Sequence, residues 1–271
     1  MPELPEVETT RLGISPSLSG HSIAGVVIRE RRLRWPIPEH IEERLTGAVV
    51  SSVERRAKYL LFRTARGTAM AHLGMSGSMR IVASETDPTP HDHYDIVMDS
   101  GTALRFNDPR RFGCLLWTDD NPAIHPLLAR LGPEPLGADF NGEYLYSTAK
   151  NRRVTIKQYL MNSNIVAGVG NIYASESLFR SGIHPLRAAG RVSQKRMNDL
   201  AQQVRAVLTE AIRLGGTTLR DFYGGDGKPG YFKAELMVYD RAGMPCRLCG
   251  EPIRQAVIGQ RSTYYCVGCQ R

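Results

Sequence analysis

Tyr59-Leu60-Leu61-Phe62-Arg63-Thr64-Ala65-Arg66-Gly67-Thr68-Ala69-Met70-Ala71-His72-Leu73 decides the fold of the first half of the chain. Two apolar runs, each too short for a helix, flank an Arg66-Gly67 turn signal, which is the pattern of a β-hairpin. The same pattern extends in both directions. Ile23 to Ile28, Ala48 to Val53, Ser78 to Val82, Ile96 to Met98, Ala103 to Phe106 and Cys114 to Trp117 are short and rich in β-branched or aromatic residues. Ser76-Gly77 and Asp99-Ser100-Gly101 punctuate them. Many short strands at this spacing predict a sandwich or barrel over residues 22 to 119.

A short helix is expected from Pro5 to near Gly13, with Leu4, Val7 and Ile14 turned inward. The Gly- and Pro-rich stretch from Leu131 to Gly142 reads as a linker, taken to residue 148, between a first domain of residues 1–131 and a second, helical one. Helices dominate residues 149–240. One begins at Ile156, and Asn171 is expected to cap a second running from Ile172 to Arg180. A third, capped by Ser193, repeats Met197, Leu200, Val204, Val207 or Leu208, and Ile212 at helical spacing. Residues 217 to 230, polar and glycine-rich, read as a loop. The expected class is therefore α+β and multidomain, closed by a separate module at residues 241–271.

That module is defined by Cys246-Arg247-Leu248-Cys249, sixteen further residues, and Cys266-Val267-Gly268-Cys269. Two CxxC turns at this separation aim four thiolates at one tetrahedral ion, so one Zn2+ is expected. With every position filled by protein the ion is structural. It would hold a hairpin with Arg261 at its tip, facing a phosphate. Four of the five cysteines lie in the last 26 residues, and the fifth, Cys114, sits in an apolar strand. The balance of charge is +8 with a pI near 9.4, which favours a polyanionic partner. No apolar run reaches the roughly 20 residues needed to cross a bilayer. No signal core is visible, so a cytoplasmic protein is expected.

The start, Met1-Pro2-Glu3-Leu4-Pro5-Glu6, reads in two ways. It is a helix start, with proline in the first turn and acidic groups at the positive end of the dipole. It is also chemistry. Removal of Met1 leaves a terminal secondary amine, and terminal amines titrate near pH 8. Such an amine attacks electrophilic carbon and forms a Schiff base, and Glu3 and Glu6 are placed to move protons.

Several stretches then point together. They are Pro2 to Thr9, Arg55-Arg56-Ala57-Lys58-Tyr59-Leu60, His72-Leu73-Gly74-Met75-Ser76-Gly77, Asp108-Pro109-Arg110-Arg111-Phe112-Gly113, Gly168-Val169-Gly170-Asn171-Ile172-Tyr173-Ala174-Ser175-Glu176, Gly227-Lys228-Pro229-Gly230-Tyr231-Phe232, and the cysteine hairpin. In this order, and over essentially the whole chain, they resemble the formamidopyrimidine-DNA glycosylase and endonuclease VIII family. Leu4 stands where the endonuclease VIII branch usually has glycine, which favours the formamidopyrimidine branch and oxidised purines over pyrimidines.

The resemblance implies an N-terminal β-sandwich, a helix-two-turn-helix domain and a zinc hairpin, with double-stranded DNA in a basic cleft between the halves. It implies a monomer acting on oxidised bases or abasic sites. Pro2 would attack the deoxyribose, and Glu3 would serve as the acid, with Glu6 a second carboxylate nearby. Lys58, Asn171 and Arg261 would hold phosphates around the extruded nucleotide, with Lys58 and Arg261 counted in the catalytic set. His91 and, more loosely, His72 would add phosphate contacts. Met75, Arg110 and Phe112 would fill the void left by the flipped base, although on residues alone Met75 and Phe112 read as core. Lys157, on residues alone a solvated helix position, would lie near the damaged base. The loop from Thr217 to Gly230 would close over the lesion. The competing readings are pyrimidine-lesion specificity, a non-catalytic binder of damaged DNA, and a zinc-ribbon transcription factor.

Overall fold

The computed structural model describes residues 2–217 and 231–271. The chain divides into two compact units, one of Met1–Arg130 with Leu214–Lys233, the other of Leu131–Arg213 with Ala234–Arg271.

The first unit opens with helix α1 (Leu4–Leu18) and continues through β1 (Ile23–Ile28), α2 (Ile41–Leu45), β2 (Val50–Arg56), β3 (Tyr59–Thr64), β4 (Gly67–His72), β5 (Ser78–Ala83), β6 (Asp92–Met98), β7 (Thr102–Asn107) and β8 (Cys114–Thr118). The strands form two four-stranded antiparallel sheets, ordered β1-β6-β7-β5 and β2-β3-β4-β8. One core joins them. Tyr94, Ile96, Leu104 and Phe106 from the first sheet meet Val53, Leu60, Phe62 and Leu115 from the second, with Val7, Ile14 and Leu18 of α1 packed in. The expected sandwich is present.

Helix α1 runs five residues past its expected end. Gly13 and Pro16 both lie on its exposed face, while Ile14 and Leu18 are buried. Burial of that apolar pair offsets the local cost of Gly13 and Pro16, about 1 and 3 kcal/mol in a helix interior, and Ser19 N–H still donates to the Ser15 carbonyl at 2.9 Å.

The second unit contains α3 (Gly142–Ala149), α4 (Ile156–Met161), α5 (Asn171–Arg180), α6 (Gln194–Arg213), β9 (Arg254–Ile258) and β10 (Arg261–Tyr265). Residues 142–148, expected as linker, are helical. Asn141 caps α3 by accepting from Tyr144 N–H at 2.8 Å, and Leu145 and Ala149 are buried. The N-cap of α5 is Gly170, and Asn171 is the first helical residue, so the expected Asn171 cap is corrected by one position. Helix α6 buries Met197, Leu200, Val204, Val207 and Leu208 along one stripe, at the expected spacing.

Residues 214–217 and 231–233 cluster with the sandwich and not with the helices that precede them. Tyr231 N–H donates to Leu214 O at 2.9 Å, and Thr217 bridges Tyr231. The segment expected to close over a lesion, including Arg220, Asp221, Phe222, Tyr223 and Gly227 to Gly230, lies outside the described residues.

Candidate active site and metal centre

The start of α1 is buried. Pro2 is enclosed, and Glu3 and Glu6 are each only 2% exposed. Glu3 is the N-cap residue, and its backbone N–H donates to Glu6 Oε2 at 2.8 Å. The other oxygen of Glu6, Oε1, accepts from Thr217 N–H at 2.8 Å, across 211 residues of sequence. Gly216, at φ +79, lets the backbone come this close, because a Cβ there would stand 3.0 Å from Glu6 Oε1. Glu6 thus joins the Pro2-Glu3 end to Gly216 and Thr217. Both carboxylate oxygens of Glu6 accept from backbone N–H groups.

Lys58 occupies the β2–β3 turn after Ala57, which is held at φ +53. Arg55 ties that turn to α1. Its Nε donates to Glu8 Oε2 at 2.8 Å and its Nη1 to the Ala57 carbonyl at 3.0 Å. Beside the turn, His72 pairs with Tyr59 across β3 and β4, ring centroids 4.8 Å apart, and its Nδ1 accepts from Gly74 N–H at 2.9 Å. Burial, reinforced by the charges of Lys58 and Arg34, pushes the His72 imidazole down to about 4, so it is neutral at physiological pH. A neutral ring beside Lys58 adds no like-charge repulsion to its ammonium.

The expected void-filling residues share one place because two loops are laced together. Asp108, fully buried, accepts from Ser76 Oγ at 2.7 Å, Arg110 N–H at 3.2 Å and Gly113 N–H at 2.8 Å. A Cβ on Gly74, at φ +69, would lie 2.4 Å from the Phe112 carbonyl carbon, so glycine allows the loops to touch. Met75 is half-buried, Arg110 exposed, and Phe112 39% exposed with the Arg110 guanidinium 4.9 Å above its ring. Phe112 is therefore not core. His91 is exposed at φ +72, on a loop pinned by a buried ion network. Arg105, 1% exposed, chelates Asp95 at 2.8 and 2.9 Å and donates to the Thr86 and Asp87 carbonyls. Asp92 accepts from Thr89, and Asn107 reaches both Asp92 and the Pro90 carbonyl. Sequence reasoning missed this network; charged residues inside a strand of otherwise apolar periodicity were its signal.

In the second unit, Arg261 begins β10 after a Gly259-Gln260 turn with both φ positive, 56 and 61, the geometry of a type I′ hairpin. Its neighbour Ser262 is held from two helices. Asn171 Nδ2 donates to the Ser262 carbonyl at 2.9 Å, and Lys157 Nζ donates to the same carbonyl at 3.1 Å and to Thr263 Oγ1 at 2.6 Å. Lys157 is fully buried, which corrects the reading of it as a solvated helix position: its ammonium faces β10 and is engaged by protein acceptors. Glu176, missed as a functional residue though quoted within its motif, is also fully buried. Its carboxylate accepts from the backbone N–H groups of Met237, Val238 and Tyr239 at 2.8 to 3.0 Å, fastening α5 to the strand of chain entering the hairpin.

The four cysteines converge. Their sulfurs all lie within 4.8 Å of one another, with Cys246 to Cys269 at 3.8 Å and Cys249 to Cys266 at 3.4 Å. A tetrahedron of sulfurs about 2.3 Å from an ion has edges near 3.8 Å, so the donor set fits a tetrahedral metal. Each CxxC closes as a tight turn, Gly250 N–H to Cys246 O at 2.9 Å and Gln270 N–H to Cys266 O at 3.0 Å.

A sandwich begun by a buried Pro-Glu pair, a helical unit and a four-cysteine hairpin define an α+β multidomain protein of the helix-two-turn-helix class. Residues 1–115 match the Formamidopyrimidine-DNA glycosylase N-terminal domain, and residues 131–223 the Formamidopyrimidine-DNA glycosylase H2TH domain. The chain is 56% identical, over the full length of both proteins, to the formamidopyrimidine-DNA glycosylase of Syntrophotalea carbinolica. It superposes on the crystal structure of MutM from Thermus thermophilus with a TM-score of 0.89 and 39% identity, covering 99% of this chain and 98% of that one. It superposes equally on a Lactococcus lactis Fpg mutant in complex with a Fapy-dG containing DNA, with a TM-score of 0.92, 30% identity and full coverage of both chains. The chain belongs to the formamidopyrimidine-DNA glycosylase family.

Proposed function

We propose that this protein excises oxidised purines, formamidopyrimidines and 8-oxoguanine, from double-stranded DNA in base excision repair, and then cuts the strand at the resulting abasic site as a lyase. It acts as a monomer in the cytoplasm. The observation that carries this reading is the buried Pro2-Glu3 end of α1, held by Glu6. A surface-exposed helix start would serve equally in a binder, whereas an enclosed amine beside a carboxylate serves covalent chemistry.

With Met1 removed, the Pro2 nitrogen attacks C1′ of the extruded nucleotide; the glycosidic bond breaks, its electrons leave with the base, and the base takes up the proton that the Pro2 amine gives up. Glu3 protonates the sugar ring oxygen as it opens, leaving an iminium between Pro2 and C1′. The iminium acidifies C2′–H; loss of that proton expels the 3′ phosphate, and a second elimination expels the 5′ phosphate. Lys58, Asn171 and Arg261 hold phosphates, since ammonium, amide and guanidinium all donate to phosphate oxygens. The Asn171 amide donates one hydrogen to Ser262 and retains another. Met75, Arg110 and Phe112 enter the space the base leaves, and His91 contacts the backbone nearby. The metal of the hairpin is one structural Zn2+: four thiolates are the soft, closed donor set that zinc prefers, and it takes no part in the reaction.

Duplexes carrying one formamidopyrimidine, 8-oxoguanine or thymine glycol test the reading. Base release and nicking at the purine lesions faster than at thymine glycol is the expected result; preference for the pyrimidine lesion, or binding without base release, overturns it.

A further inference from the structure

Residues 150–196 contain nine lysines and arginines and one acidic residue, Glu176. Glu176 is buried and spent on backbone N–H groups. Of the cations, Lys157 is buried against β10, and Arg180 pairs with Glu210 at 2.8 Å. Arg152, Arg153, Arg187 and Arg191 lie on two adjacent segments. Residues 152–156 and 187–190 run antiparallel, with Ile156 N–H to Arg187 O at 2.7 Å, Ala189 N–H to Val154 O at 2.9 Å and Gly190 N–H to Arg152 O at 3.0 Å. This register sets Arg152 opposite Arg191 and Arg153 opposite Gly190, with Arg187 three positions along, opposite Ile156. Among the described residues, Arg153, Arg187 and Arg191 have no carboxylate within ion-pair distance. Arg187 and Arg191 line an open pocket of about 660 Å3 together with His184 and Arg271. The uncompensated charge is felt by its neighbours. Beyond the effect of burial, Arg187 lowers both His184 and Arg196.

This face is separate from the candidate phosphate site. Asn171 begins α5, and the face follows the far end of that helix, about 15 Å away at 1.5 Å per residue. Arg261 begins β10, and His184 packs on Tyr265 at the other end of the strand, ring centroids 4.7 Å apart, roughly 13 Å along an extended chain. Apolar exposure here is confined to Leu186 and Val154, 49% and 37% exposed. A protein partner requires an apolar or aromatic anchor cluster with charge kept to the rim, whereas guanidinium forks without such a cluster fit phosphodiesters.

We propose that the face built on Arg153, Arg187 and Arg191 binds the phosphate backbone of a second DNA segment while a first occupies the lesion site. The inference rests on the proposed activity for the identity of its polyanion. Two simultaneous contacts allow the protein to pass between DNA segments without full release, because each contact exchanges counterions independently.

The test uses full-length, zinc-loaded protein saturated with an immobilised duplex that bears an uncleavable abasic analogue. A fluorescent undamaged duplex is then titrated at low salt. The wild-type complex is expected to capture it, and Arg187→Glu with Arg191→Glu to lose capture while nicking a lesion in a short duplex at the wild-type rate. The milder Arg187→Ser with Arg191→Ser is expected to lower the log–log salt slope of capture by about 2. Failure of the wild-type complex to capture, equal capture by the variants, a parallel loss of lesion nicking, or capture of a polyglutamate peptide in place of DNA overturns the inference. Charge-dependent capture by a protein that releases no damaged base would instead overturn the glycosylase reading and leave this one standing.

Discussion

The sandwich and the cysteine hairpin solve the same problem, holding charged side chains in fixed positions, by opposite means. The sandwich has an extensive apolar core shared by two sheets and α1. On it stand buried polar clamps: Glu6 at the N-terminus, Asp108 between two loops, Arg105 with Asp92 and Asp95 beneath His91. The hairpin has two strands and a small apolar cluster that includes two of its own cysteines. A two-stranded hairpin is marginal alone, so its order comes from the metal and from Lys157, Asn171 and Glu176 on neighbouring helices. A large core tolerates loss of one clamp locally; a small module does not.

The largest expected effect follows from this contrast. Cys246→Ser should abolish stoichiometric zinc and with it the placement of Arg261, because metal-binding free energy in such modules is folding free energy. DNA affinity should collapse while the main thermal transition of the sandwich stays in place. Retained zinc and affinity would show that the hairpin stands without its fourth thiolate.

Arg105→Met attacks the other side. It takes one of two arginines from each of Asp92 and Asp95, Arg80 and Arg29 remaining, a loss of about 1–3 kcal/mol. Urea denaturation should register it while zinc content is unchanged; a shift under 1 kcal/mol would mean that Arg80 and Arg29, which also reach these carboxylates, suffice.

Lys157→Met should cost about 1–3 kcal/mol, because Thr263 Oγ1 and the Ser262 carbonyl lose a buried donor. Weaker binding of abasic-analogue DNA with zinc retained is the expected signature. Unchanged affinity would assign the fixing of Ser262 to Asn171 alone.

The smallest effect is a pH dependence confined to the sandwich. His72 is held at about 4 against an ordinary 6.5. A depressed folded value means that its contribution is complete above pH 6.5 and is lost as pH falls from 6.5 towards 4. Protonation also forfeits the Gly74 hydrogen bond. Urea midpoints at pH 7 and pH 5 should therefore differ more in wild type than in His72→Gln; equal differences would contradict a buried neutral ring.

The same contrast explains what could be read from the sequence. Strand alternation and CxxC spacing are local signals, and the sandwich and metal site were legible from them. Long-range packing was not. Gly13 and Pro16 argue locally for a helix end, and only burial of Ile14 and Leu18 carries α1 onward. Residues 214–217 read as the end of a helical domain, yet a hydrogen bond to Glu6 across 211 residues attaches them to the sandwich. Lysine normally signals solvent, and nothing in the Lys157 neighbourhood announces that β10 will cover it. Asn171 looked like a cap because asparagine commonly is one, while Gly170 takes that position and frees the amide to hold Ser262.

The account depends on covalent attack by the nitrogen of Pro2. Borohydride added during turnover on lesion-bearing duplex should reduce the iminium to a stable amine, giving a protein–DNA adduct whose digestion yields DNA attached to the peptide beginning at Pro2. An adduct on a lysine, or nicking with no trapped adduct, would contradict it.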